Sequence, residues 1–362
     1  MPIALYLLFL IIFLAGGIFL SPAHSQDFEP AQYAHEHVAG VWQRGYLNGP
    51  AAGAMLDIGA MTMDMNGNIY ILGGNRVRVI TPTGRVWNLA GTGIRGYKDG
   101  PAQNAMFNTG GAGYRYEDIA IDSKGNLFVA DGINGRIRKI HNSGAQWWVS
   151  TYAGGGSASL TPGKTSSVDT VKFSALLGVA VDSSDNVWTT DYACIYKITP
   201  SGIVNCYANT AGGPAVMMQA DALGNLYMLT RSPNSCFYRI SPEGSVVRIA
   251  GMQNSEINEL RDHNLPVPVD GPALQSTFFA VSHFAVSSIG TIYGGNGDEY
   301  VLRRVKDGYT MTLFPDGWRT NATDRNAGWF LGAALYIAPN NAIYLMGDNP
   351  PRQLGLRRLV PK

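Results

Sequence analysis

Glu117 and His283 are the two side chains of this sequence best placed to do chemistry. Each stands just ahead of a short apolar stretch that reads as a strand, and a carboxylate or an imidazole held there can move a proton to or from a bound molecule. A second group offers contact rather than catalysis. Gly110-Gly111-Ala112-Gly113 leads into Tyr114-Arg115-Tyr116, where the glycines give mobility and the rings and guanidinium give stacking surface and a cation. Arg231, Asp131, Asp191, Asp298 and Asp348 fall at related places in the same register. Asp131 and Asp191 close an apolar stretch, where an aspartate ordinarily bonds loop amides, so both are read as structural. Tyr114, Arg115, Tyr116, Arg231 and Asp298 are the candidate ligand contacts, and Glu117 and His283 the candidate catalytic pair. No nucleophile elbow, phosphate-cradling loop or paired metal motif is present. Gly91-Thr92-Gly93 and Gly294-Gly295-Asn296-Gly297 are turns, since no amphipathic helix follows either.

A repeat must position these residues. HVAGVWQRGYLNGPAAGAML (37–56) aligns without a gap on NLAGTGIRGYKDGPAQNAMF (88–107). The fullest unit begins at Asp118: Asp118–Asp122 is a short apolar run, Ser123–Asn126 a tight turn, Leu127–Asp131 a second strand, Arg136–Ile140 a third of period two, and Trp147–Ala153 a fourth. Further copies start at Met61, Gly178 and Met217, and weaker ones at Phe284 and Ala333, making about six. One four-stranded meander exposes two apolar faces and must stack on its copies. The last copy stops after its third strand, and Ala34–Val38 reads as a fourth strand lacking a sheet. Pairing Ala34–Val38 with Leu356–Val360 would close a ring and remove both exposed edges.

These units resemble NHL repeats, whose strand ending in Asp, Gly-Asn turn and R-I-R-K-I strand are matched by Asp118–Ile140. The resemblance runs from about Val38 to the C-terminus and weakens where Ser287-Ser288 and Pro339-Asn340 replace the aspartate phrase. It implies an all-β fold, a six-bladed β-propeller of four-stranded antiparallel blades over residues 34–362, of the kind found in extracellular and periplasmic NHL proteins. Such propellers serve unrelated functions, so the fold by itself does not assign one.

Composition narrows the setting. The formal net charge of +1 and the absence of a basic face exclude a nucleic-acid partner. Leu5–Leu20 is almost purely apolar and precedes Ser21-Pro22-Ala23-His24-Ser25, so residues 1–25 read as a signal peptide or a membrane anchor, 26–33 as a linker, and the protein as exported. A membrane is contacted only through residues 5–20, if these remain attached. Asn321-Ala322-Thr323 is a glycosylation sequon. Cys194, Cys206 and Cys236 are too few for a disulfide framework and read as buried small hydrophobes.

The functional expectation is a binding module that holds a protein, peptide or glycan through its channel-mouth loops. Seven Trp and eighteen Tyr suit such contacts. The alternative is a metal-dependent hydrolase or lyase at the same mouth, and the cofactor is left open between a divalent cation and none. Metal-dependent lactonases of similar fold carry a metal-binding Glu just ahead of an inner strand, as Glu117 is here, but their Asn and Asp partners are not recognisable. Amidating lyases gather several histidines on zinc, whereas only His141, His263 and His283 lie within the propeller body. A strictosidine-synthase-like site would rest on Glu117 alone.

Overall fold

The computed structural model describes residues 33–41, 45–110, 117–209, 215–230, 235–252, 270–278, 281–296, 301–313, 330–338, 340, 342–349 and 353–361. They form six antiparallel sheets, the blades of a propeller. The inner strands, in blade order, are Ala60–Met63, Ile119–Ile121, Gly178–Val181, Ala215–Ala220, Val281–Val286 and Phe330–Ile337. Each touches the inner strands on both sides, which closes a central channel.

An aspartate explains why the inner strand of a unit turns so sharply into the next. Asp122 Oδ1 accepts from the backbone N–H groups of Lys124 and Asn126 at 3.0 and 2.8 Å, while Oδ2 accepts from Asn126 Nδ2 at 2.7 Å. Asp64, Asp182 and Asp221 repeat this turn, the side chain standing in for a strand partner. In blade 5, Ser287 Oγ accepts from Thr291 N instead, so a hydroxyl preserves the turn where the aspartate phrase is lost.

Six apolar clusters lie one at each blade boundary rather than in one central core. Between blades 1 and 2, Leu72, Val77, Leu127 and Val129 are fully enclosed, each contributing about 1.5–3 kcal/mol of burial. The ring is closed by Tyr33–Ala39, which pairs antiparallel with Gln353–Pro361, Ala34 opposite Val360 and Ala39 opposite Leu356. The expected closure is therefore the observed one.

Four sheets carry a short fifth strand beyond the expected four. In blades 1, 2 and 5 it is a Gly-Pro pair, Gly49–Pro50, Gly100–Pro101 and Gly271–Pro272. From there the chain crosses back to its inner strand over a buried arginine. Arg138 Nη2 donates to Lys98 O at 2.8 Å, while Nη1 donates to Met106 O at 2.9 Å and Asp131 Oδ2 at 2.7 Å. Arg78 does the same for Leu47 O and Met55 O, and Arg303 for Thr277 O and Asp270. The repeated Arg-Gly-Tyr is part of this device: Tyr46 stacks on Arg76 and Tyr97 on Arg136, at 4.4 and 4.3 Å.

The cysteines depart from expectation. Cys194 and Cys206 form a disulfide between neighbouring strands of blade 3, Cα atoms 5.8 Å apart, and Cys236 keeps a buried thiol. The matched register of Cys194 and Cys236 points between blades, whereas the bond forms within one hairpin, where antiparallel pairing brings two Cβ atoms close. Among the described residues no helix is long and apolar enough to cross a membrane; residues 1–25 and Asn321 lie outside them.

Candidate functional site

Inner strands are sheet edges, so their outward N–H and C=O groups face the channel and need partners. Side chains supply several. Gln219 of blade 4 donates Nε2 to Phe284 O at 3.1 Å and accepts from Val286 N at 3.0 Å, pairing as a strand residue would with blade 5. Tyr336 of blade 6 bonds the Thr62 side chain and the Met63 backbone of blade 1. Asp118 spans further: its carboxylate accepts from Ile119 N and from Val179 N at 3.0 Å each, and from the Met218 backbone. One acid thus ties blades 2, 3 and 4. Complete burial pushes its pKa up to about 7, against the lowering effect of those three N–H donors. These inner strands enclose a cavity of about 170 Å³ lined by Asp118, Gln219 and Tyr336.

Apart from the residues lining this cavity, Glu117 and His283 both approach Gly59. Glu117 is buried, and Thr109 Oγ1 donates to its Oε1 at 3.1 Å. Thr109 is itself fixed by its N–H to Asn75 Oδ1 at 3.1 Å, with Asn75 in the left-handed region at φ 59°. The Glu117 carboxylate lies against Gly59, so closely that a Cβ there would overlap it. From blade 5, His283 Nε2–H donates to Gly59 O at 2.8 Å. This makes Nε2 a donor nitrogen of the ring. Beside them Tyr46 donates its hydroxyl to Asp57 Oδ2 at 2.7 Å. Burial, the Asp57 hydrogen bond and the negative charges of Asp57 and Glu117 hold the Tyr46 phenol up at about 12, against the lowering effect of Arg76.

Of the residues singled out by sequence, Glu117 and His283 thus share one place. Tyr114, Arg115, Tyr116, Arg231 and Asp298 lie outside the described residues. Asp348 stands on the strand Ile343–Asn349. Asp131 and Asp191 are structural: Asp131 accepts from Asn108 N at 2.7 Å and from Arg138, and Asp191 accepts from Ala193 N and Cys194 N at 2.8 and 2.9 Å. Sequence reasoning missed Asp118, Gly59, Thr109 and Asn75. Asp118 carried a signal, an acid heading an otherwise apolar inner strand.

The donors that the described residues bring to this place do not by themselves make a divalent-cation site. Glu117 and His283 bring one carboxylate and one imidazole, and among the described residues no group of three or more His, Cys, Asp or Glu converges. A catalytic zinc site takes about three protein ligands and a calcium site more.

No family model matches the sequence, and no curated protein matches it. Solved structures do match in fold. An auxiliary nutrient binding protein from Bacteroides ovatus superposes with a TM-score of 0.63 at 14% identity, over 91% of this chain and 77% of that one. Its counterpart from Bacteroides thetaiotaomicron gives 0.62 at 10% identity, over 91% and 76%. A provisionally named gluconolactonase gives 0.50 at 12% identity, over 93% and 94%. The chain is a six-bladed β-propeller whose last blade is completed by its N-terminal strand.

Proposed function

We propose that the channel mouth is a small-molecule site at which Glu117 and His283 work as an acid–base pair, giving the exported protein a hydrolase- or lyase-type activity. The observation that carries this reading is their convergence on Gly59 from blades 2 and 5. One group accepts a proton from the substrate or from an attacking water while the other returns one to the leaving atom. Thr109 and Asn75 hold the carboxylate and the Gly59 carbonyl holds the imidazole, so neither group must reorganise as charge moves. Export is supported by the apolar segment Leu5–Leu20 and by the Cys194–Cys206 disulfide, which suits an oxidising compartment.

A second reading keeps the mouth as a binding module for a protein, peptide or glycan, contacted by Tyr114, Arg115, Tyr116, Arg231 and Asp298. The likeness to two nutrient binding propellers favours it. One experiment separates the two. The chain from Gln26 onward is screened against lactones, esters and modified peptides, beside Glu117→Gln and His283→Ala. Turnover lost in both variants with Tm unchanged supports the acid–base reading. Turnover surviving both defeats it, and ligand retention without turnover favours the binding module.

A further inference from the structure

The boundary between blades 4 and 5 differs from its counterpart between blades 1 and 2. In the latter, Asn88 Nδ2 donates to Gln103 Oε1 at 3.3 Å, and Gln103 Nε2 donates to Asn88 O and Leu89 O at 2.6 and 3.2 Å. Two side-chain amides thereby clasp the outer strand of blade 1 to the short 3-10 turn Ala102–Asn104 leading into blade 2. Arg248 and Leu274 occupy the matching positions further on. Arg248 stands opposite Tyr238 as Asn88 stands opposite Arg78, and Leu274 is the middle residue of Ala273–Gln275 as Gln103 is of Ala102–Asn104. An isobutyl group neither donates nor accepts, so this clasp cannot form, and Leu274 is left 46% exposed.

A cleft of about 550 Å³ opens there instead, a size usual for small-molecule sites. Its walls are of two kinds. Leu274 and Ile289, the latter 54% exposed, give an apolar surface. Arg239, Arg248 and Lys306 bring three cations, and among the described residues Asp307 is the one carboxylate lining it. Asp307 is 3.9 Å from Lys306, with its side chain 86% exposed. Asp221 lies behind, taking the Tyr227 hydroxyl hydrogen at 3.1 Å. In a chain whose formal charge is only +1, such a concentration beside an apolar wall selects for the opposite sign.

We propose that this cleft binds a small ligand with an apolar body and an anionic head, the body on Leu274 and Ile289 and the head among Arg239, Arg248 and Lys306. It shares no lining residue with the channel cavity, so it is a separate site. The test is fluorescence titration of the exported chain with 8-anilinonaphthalene-1-sulfonate, which joins such a body to one sulfonate. One equivalent binds the unaltered protein. The double variant Arg248→Asn, Leu274→Gln writes the clasp of the first boundary into this one and weakens binding at least about tenfold. Arg239→Gln with Lys306→Gln leaves the cleft open but removes two cations, and weakens the sulfonate by a similar factor. N-phenyl-1-naphthylamine, the same body without the charge, binds the unaltered protein at least about tenfold less tightly. Equal sulfonate affinity in the charge variant, or equal affinity for the neutral amine, overturns the proposal. Should the clasp variant fail to fold, the charge variant and the neutral probe still decide.

Discussion

Glu117, from the segment leading into blade 2, and His283, on the inner strand of blade 5, meet at a single glycine. The Glu117 carboxylate lies against Gly59, and the Gly59 carbonyl accepts the His283 Nε2–H at 2.8 Å. Gly59 is not among the residues of positive φ, so its importance is space rather than backbone freedom. A methyl there must displace Glu117, whose own Cβ is within reach of it. Gly59→Ala is expected to lower stability by about 1–3 kcal/mol, the usual range for overpacking. It should also abolish whatever turnover Glu117 supports. Thermal melts and the substrate screen check both, and a variant of undiminished stability and activity would contradict the geometry.

Asp118 makes stability depend on pH in an unusual direction. Its pKa is raised from 3.8 to about 7 by burial, so between these values the folded state holds a proton that the unfolded state has released. Stability therefore falls as pH rises through this window and levels off above it, by at most on the order of 4 kcal/mol. Urea unfolding at steps from pH 4 to pH 8 should show that slope, and Asp118→Asn should flatten it. An identical slope in the variant would assign the dependence elsewhere.

The buried arginine of blade 2 lends itself to a graded test. Arg138 is fully buried between Asp131 and Asp99. Arg138→Met leaves Asp131 enclosed without its cation and is expected to cost about 3–5 kcal/mol. Asp99→Asn should cost far less, because Asn48 already fills that role for Arg78, at 3.0 Å. Chemical denaturation of both variants gives the comparison, and equal losses would refute it.

The disulfide predicts a thiol count. Without reductant the unfolded chain should expose one thiol, Cys236, and with reductant three. Cys206→Ser is expected to lower stability by about 2–3 kcal/mol, as for the loss of a short closed loop. Thiol titration in denaturant and a melting curve check the two parts.

Ring closure rests on backbone pairing rather than on surface charge. Arg358 donates to Glu36 Oε2 at 2.5 Å, but the pair is partly open to solvent, its side chains 40% and 53% exposed, so Glu36→Gln should change stability by less than about 1 kcal/mol. Deleting Tyr33–Ala39 exposes the edge of Gln353–Pro361 and should leave the ring open, seen as lost cooperativity in the melt and as aggregation.

The sequence by itself determined the repeat, the number of units, the turns and the closing strand. These are properties of local spacing, and a period-two strand or a Gly-Asn turn is legible one unit at a time. It also put Glu117 just ahead of the inner strand Ile119–Ile121, whereas His283, expected ahead of its strand, is the third residue of Val281–Val286. What it could not determine is which edges meet across the ring. Asp118 reads as the first residue of a strand until Val179 and Met218, from the next two blades, are brought to its carboxylate. Gly59 carries no signal in the sequence, and its role shows only once blades 2 and 5 close on it. Cys194 finds Cys206 rather than Cys236 because hairpin pairing, not repeat register, sets which Cβ atoms approach. In a propeller each blade is local and the channel is not, so only the closed ring decides what the channel holds.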